Sequence, residues 1–140
     1  MTTLKFPIKI NASKEKVWNT LWNDSTYREW TAAFCEGSYA ESDWKEGSKI
    51  QFLSPNGDGM FGVIEKKIPN EQMSFRHLGE IKKGVEEPKD WGAATENYYL
   101  QDSNGSTQLN VEMDSTPEME QFLKNTFPKA LEILKQVSEQ

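Results

Sequence analysis

His77 is the only histidine in the chain and Cys35 the only cysteine, which narrows the chemistry open to it. Zinc sites built on several His or Cys ligands are excluded. A Cys35–His77 nucleophile and base pair has no local signature. Cys35 stands between Phe34 and Glu36, and an acidic neighbour disfavours the thiolate that such chemistry needs. Cys35 therefore reads as a small buried or half-buried thiol. No GxSxG elbow, phosphate-cradling glycine loop, dinucleotide fingerprint or calcium-loop spacing occurs. Pro55-Asn56-Gly57-Asp58-Gly59 resembles a binding loop, but between two apolar runs it reads as a hairpin turn, because glycine accepts positive φ.

What remains for acid–base work is His77 and Glu96, each in a run with strand-like alternation. If Glu96 shares the phase of Tyr98 and Leu100, a carboxylate points into apolar space, where it needs a partner or stays protonated. His77 on the preceding strand is the candidate partner. The rival arrangement sets Arg76 beside Glu96 on the wet face, as a surface ion pair worth under about 1 kcal/mol. The sequence does not fix the register between the two runs, so both arrangements stand.

Alternation places Ile50, Phe52, Phe75, His77, Tyr98, Leu100, Leu109 and Val111 on one face. Trp30, Phe122 and Phe127 can face the same space from helices. These side chains either fill a core or line a cavity, since ligand pockets are largely apolar with a few placed polar groups. The candidate ligand-binding set is Trp30, Phe52, Phe75, His77, Glu96, Tyr98, Phe122 and Phe127. Between the His77 and Glu96 strands lies Gly79 to Gly92, long for a hairpin connection. Ile81, Val85 and Trp91 are its candidate lid residues, unless the strands simply extend into it.

The elements that must hold these residues follow from the apolar rhythm. Leu4, Phe6, Ile8 and Ile10 share one strand face, with Pro7 confining that strand to a sheet edge or bulge. Val17, Trp18, Leu21 and Trp22 predict a short helix, and Tyr27 with Trp30 a second. From residue 36 the period becomes two, through six strand candidates punctuated by Gly, Asn and Pro turns. The strongest local signal is the C-terminal run. Pro117 suits a first helical turn, and Met119, Phe122, Leu123, Thr126, Phe127, Ala130, Leu131, Leu134 and Val137 form one apolar stripe. Pro128 is expected to kink or interrupt that helix near Lys124. The fold class is α+β: a curved antiparallel sheet of six to seven strands wrapped around a long C-terminal helix, with two short helices between strands 1 and 2.

The 140 residues suit one domain, and area scaling buries about 68% of the extended chain's surface. Sixteen basic residues face 22 acidic ones, for a net charge of −6, and only Arg28 and Arg76 are arginines. Phosphate binding needs clustered Lys and Arg, so nucleic acid and anionic membranes are not expected partners. No apolar run approaches the 18 or so residues of a membrane span, and Met1 to Ile10 lacks a signal-peptide apolar region. With a single cysteine, a cytoplasmic protein without metal or other cofactor is expected.

Read in order, the motifs resemble the START/SRPBCC helix-grip superfamily, which includes the birch pollen allergen. Within it the chain is similar to small bacterial proteins related to the activator of heat-shock-protein-90 ATPase. The resemblance rests on Ile10-Asn11-Ala12-Ser13 with Lys16-Val17-Trp18 and Leu21, Tyr27 with Trp30-Thr31, Phe34 with Gly37-Ser38, and Trp44 with Glu46-Gly47-Ser48. It continues through Pro69, Phe75 to His77, Glu96-Asn97-Tyr98-Tyr99-Leu100, Gly105 with Thr107 and Leu109, and Phe127-Pro128-Lys129-Ala130-Leu131 with Leu134-Lys135. It implies a cavity between sheet and helix holding a small hydrophobic molecule that is lipid-like, aromatic or polyketide-like. Two other roles are known among such proteins: cyclase or dehydratase chemistry, for which His77 and Glu96 are the candidates, and stimulation of a chaperone ATPase. A homodimer and a chaperone are the macromolecular partners it allows. Fold alone does not choose among these.

Overall fold

The computed structural model describes residues 1–140. The chain begins with β1 (Thr2–Ile10), α1 (Lys14–Trp22) and α2 (Asp24–Thr31). Seven strands follow: β2 (Tyr39–Glu41), β3 (Lys49–Leu53), β4 (Gly59–Ile68), β5 (Gln72–Lys82), β6 (Val85–Pro88), β7 (Thr95–Ser103) and β8 (Ser106–Ser115). The chain closes with α3 (Pro117–Ser138). All strand pairs are antiparallel, in the order β1-β8-β7-β5-β4-β3-β2, with β6 pairing the far half of β5.

The sheet thus has eight strands, where the alternation predicts six or seven. The additional strand, β6, comes from the segment between Gly79 and Gly92. That segment is mostly hairpin: β5 runs on to Lys82, turns at Lys83-Gly84 with both φ positive, and returns as β6. Ile81 is accordingly a buried strand residue, not part of a loop. At one edge of the sheet, opposite β2, strand β1 pairs only with β8, so Pro7 sits on an edge strand, where proline is tolerated.

Two irregularities in the β4–β5 pairing aim the side chains of β5. Ile64 pairs Phe75 but Lys66 pairs Ser74, leaving Glu65 as an extra residue on β4. Gly62 pairs His77 but Phe61 pairs Gly79, leaving Leu78 extra on β5. Bulges of this kind bend a strand and redirect its side chains. Gly62 is required at the second one, since a Cβ there would lie 2.1 Å from the Arg76 carbonyl oxygen.

Local chemistry sets the helices. Ser13 caps α1 by accepting from the Lys16 N–H at 3.1 Å, and Glu15 lies in the first turn. Trp30 of α2 is buried and donates its indole N–H to the Leu21 carbonyl at 3.1 Å, locking the two short helices together. α3 continues unbroken through Pro128, contrary to the interruption expected there. Its buried residues Leu123, Phe127, Ala130, Leu131 and Leu134 join Phe6, Ile10, Leu21, Leu109 and Val111 in one core cluster. Each Leu or Phe so buried contributes about 1.5–3 kcal/mol, which offsets the lost backbone bond. Phe127 stacks on Phe6 with ring centroids 4.8 Å apart. Cys35 is exposed, not half-buried, because it sits in the irregular turn after α2 rather than on either helix stripe. No helix is long and apolar enough to cross a membrane.

Candidate functional site

α3 clamps the sheet with its C-terminal half, and its N-terminal half spans an open space. Two adjoining lobes of about 320 and 330 Å³ occupy that space. They share Gly59, Met60, Met113, Met119 and Leu123 as a common wall. The first lobe is lined by 20 residues, 14 of them hydrophobic, drawn from α2, the β3–β4 hairpin, β7, β8 and α3.

Glu96 points inward. Its Oε1 lies 2.9 Å from His77 Nε2, and the Tyr98 hydroxyl donates to its Oε2. The side chains of His77 and Glu96 are 4% and 12% exposed, so His77 is buried and Glu96 keeps a small opening to the lobe. Arg76 faces solvent and takes no part. The geometry follows from the strands: Glu96 pairs Phe75 across β5–β7, Tyr98 lies two residues along on the same face, and the His77 N–H bonds the Ala94 carbonyl at 2.9 Å. His77 Nδ1 is buried without a hydrogen-bond partner. Orphaned buried N–H groups are rarer than under-used acceptors, so the bridging proton is assigned to Nε2 and Nδ1 is the bare nitrogen. Both Glu96 oxygens then accept, which is the pattern of an ionised carboxylate.

That carboxylate conditions its neighbours. Burial first, and the nearby Glu96 charge second, push the Tyr98 hydroxyl far above its ordinary ionisation range. The same two causes raise Tyr27. An aromatic cluster surrounds the site. Trp22 meets Tyr98 and Phe75 edge-on at 4.9 and 5.4 Å, and Phe52 lies 5.2 Å from Phe75 and 5.5 Å from the His77 ring. Edge-to-face pairs of this kind hold rings in fixed orientations.

Of the residues anticipated from sequence, Trp30, Phe52, Glu96, Tyr98, Phe122 and Phe127 line the first lobe. His77 and Trp91 line the second, so the His77–Glu96 bond joins one lobe to the other. Phe75 is fully buried behind Phe52 and lines neither lobe. Ile81 also lines neither, and Val85 is 63% exposed on β6, away from both. Phe122 is 42% exposed at the mouth, beside Met119 at 45%.

Tyr27, Phe34, Met60, Met113, Met119 and Leu123 also line the first lobe and were not anticipated. Four of them had a usable signal. Tyr27 precedes Trp30 by one helical turn, Met113 continues the phase of Leu109 and Val111, and Met119 and Leu123 share the α3 stripe with Phe122. Met60 and Phe34 had none, since each borders a turn.

A curved antiparallel sheet closed by one long helix over an aromatic cavity defines a helix-grip protein. Residues 11–139 match the family described as Activator of Hsp90 ATPase homolog 1-like protein, and the chain belongs to that family. The solved Aha1 dimer from Colwellia psychrerythraea superimposes with a TM-score of 0.76 at 22% identity, over 99% of this chain and 97% of that one. Protein MLL2253 from Mesorhizobium loti gives 0.75 at 17% identity, covering 97% and 96%. CalU16 from Micromonospora echinospora gives 0.71 at 14%, covering 97% and 75%. At such identities the likeness is one of fold. No protein of curated function matches the chain by sequence.

Proposed function

We propose that the chain works as a single cytoplasmic domain that binds a small hydrophobic ligand, lipid-like, aromatic or polyketide-like, between the sheet and the N-terminal half of α3. The observation that carries this reading is the first lobe: about 320 Å³ of space, mostly apolar walls, and a buried polar cluster at one side. Its volume lies in the range of small-molecule sites. An interior left unfilled at some cost in packing is explained when a ligand occupies it. Native mass spectrometry after gentle purification, together with titration of a fluorescent apolar probe, tests it. Saturable 1:1 binding that a co-purified molecule displaces is expected, and a probe that stays dark at high protein concentration overturns the reading.

A second reading rests on the convergence of His77 and Glu96 on one another. A carboxylate that orients an imidazole leaves the far nitrogen as a base, so the pair would act on a bound carbonyl compound. Deuterium exchange at the methyl carbon of 2-acetylnaphthalene, fast with the native protein and lost in His77→Gln, is its signature. The family match and the likeness to a dimeric Aha1 motivate a third role, as a homodimer or chaperone partner. Failure to stimulate a chaperone ATPase at saturating protein counts against it.

A further inference from the structure

The charged lining of the first lobe has one sign. Its 20 wall residues include two carboxylates, Glu96 inside and Asp58 at the rim, and no lysine, arginine or histidine. No Lys or Arg side chain elsewhere lies within ion-pair distance of either carboxylate. Eight of the 20 are aromatic, among them Tyr27, Trp30, Phe52 and Tyr98. Aromatic faces carry negative potential and attract cations, most strongly where water is excluded.

Resting on the ligand-binding reading above, we propose that the ligand of this lobe is a hydrophobic amine: an apolar body carrying an ammonium group that reaches Glu96. The carboxylate has capacity to spare. Two of its roughly four acceptor positions are taken, by His77 Nε2–H and the Tyr98 hydroxyl. Of the three side chains in that cluster, Glu96 is the one that lines the first lobe with a charge, and it retains 12% exposure. An N⁺–H donor there makes a charge-assisted bond, stronger than any a neutral hydroxyl offers. A fatty acid or other carboxylate is disfavoured, since it would set like charges together inside an apolar wall with no lysine or arginine to pair either one. The net charge of −6 acts in the same direction on the approach of a cation.

Three probes of nearly one shape separate the possibilities by titration calorimetry at pH 7: 2-(aminomethyl)naphthalene, 2-naphthalenemethanol and 2-naphthoate. The amine is expected to bind at least tenfold tighter than the alcohol, and the carboxylate more weakly than either. In Glu96→Gln the ratio of amine to alcohol affinity falls to threefold or less. If that variant does not fold, Asp58→Asn at the exposed rim lowers the same ratio about twofold. Amine and alcohol affinities within threefold of each other in the native protein, or naphthoate as the tightest ligand, overturn the amine assignment and leave a hydrophobic cavity standing. Binding by none of the three overturns both.

Discussion

His77 and Glu96 meet side chain to side chain at 2.9 Å although they stand on different strands, because β5 and β7 pair Phe75 with Glu96 and His77 follows two residues on, on the same face. Glu96 also receives the Tyr98 hydroxyl, so one carboxylate satisfies two buried donors. Removing it strands both.

Glu96→Leu is therefore expected to destabilise the fold by about 2–4 kcal/mol, the cost of leaving buried polar groups unpartnered. The triple variant His77→Leu, Glu96→Leu, Tyr98→Phe is expected to recover at least half of that loss, since it removes the donors as well. Urea unfolding of the three proteins measures both quantities. A triple variant no more stable than the single one would show that the cluster contributes through packing, not through its hydrogen bonds.

Burial and the Glu96 charge raise the ionisation of Tyr98 and Tyr27 in the folded state. Their unfolded values lie near 10. Above that pH the unfolded chain has released protons that the folded chain still holds, so stability is fully present below about pH 10 and declines as pH rises further. Each such tyrosine contributes a slope of at most about 1.4 kcal/mol per pH unit. Unfolding free energies at pH 9, 10 and 11 should show the decline, and it should be shallower in Tyr98→Phe. A flat profile over that interval contradicts it.

Phe122 and Phe127 lie on one stripe of α3 but carry different loads. Phe122 is 42% exposed at the cavity mouth, whereas Phe127 is 2% exposed and stacked on Phe6. Phe127→Ala is expected to cost about 3–5 kcal/mol of stability. Phe122→Ala should cost under about 1 kcal/mol while weakening an apolar probe severalfold. Thermal melts and probe titrations on both variants separate the two effects.

Gly62 supports the bulge that follows His77. Its missing Cβ leaves room for the Arg76 carbonyl, a backbone group with no freedom to withdraw. Gly62→Ala is expected to destabilise by about 2–3 kcal/mol and to disturb the single histidine's resonances in an imidazole NMR spectrum. Unchanged resonances together with unchanged stability would mean the strand accommodates a methyl group there.

The long helix could be read from residues alone because Leu123, Phe127, Ala130, Leu131 and Leu134 repeat with the helical period and all meet the core. Phe122 keeps the same period yet ends at the mouth, since period names a stripe but not what lies beneath each part of it. The inward turn of Glu96 was out of reach for a different reason. Alternation fixes the face of a residue within its own strand, but the faces of two strands are related through register, and here register shifts at Glu65 and Leu78. No residue type announces either bulge. Ile81 and Val85 were misplaced for a similar reason. Lys83 adopts φ +50 without being glycine, so the tight turn that converts a long loop into β6 carries only half of its usual signature.

Pro128 brings no hydrogen to the Lys124 carbonyl, so α3 lacks one rung midway along its length. Residues on the C-terminal side of that gap are bolted to Ile10, Leu21 and Leu109 through the core, whereas Met119 and Phe122 on the other side roof the first lobe. A single continuous rod thereby combines an anchored stem with a short awning, in which Met119 and Phe122 are half-exposed while Leu123 and Phe127 are held in the core. The way in for an incoming molecule therefore runs past Met119 and Phe122, at the one stretch of the rod that the core does not grip.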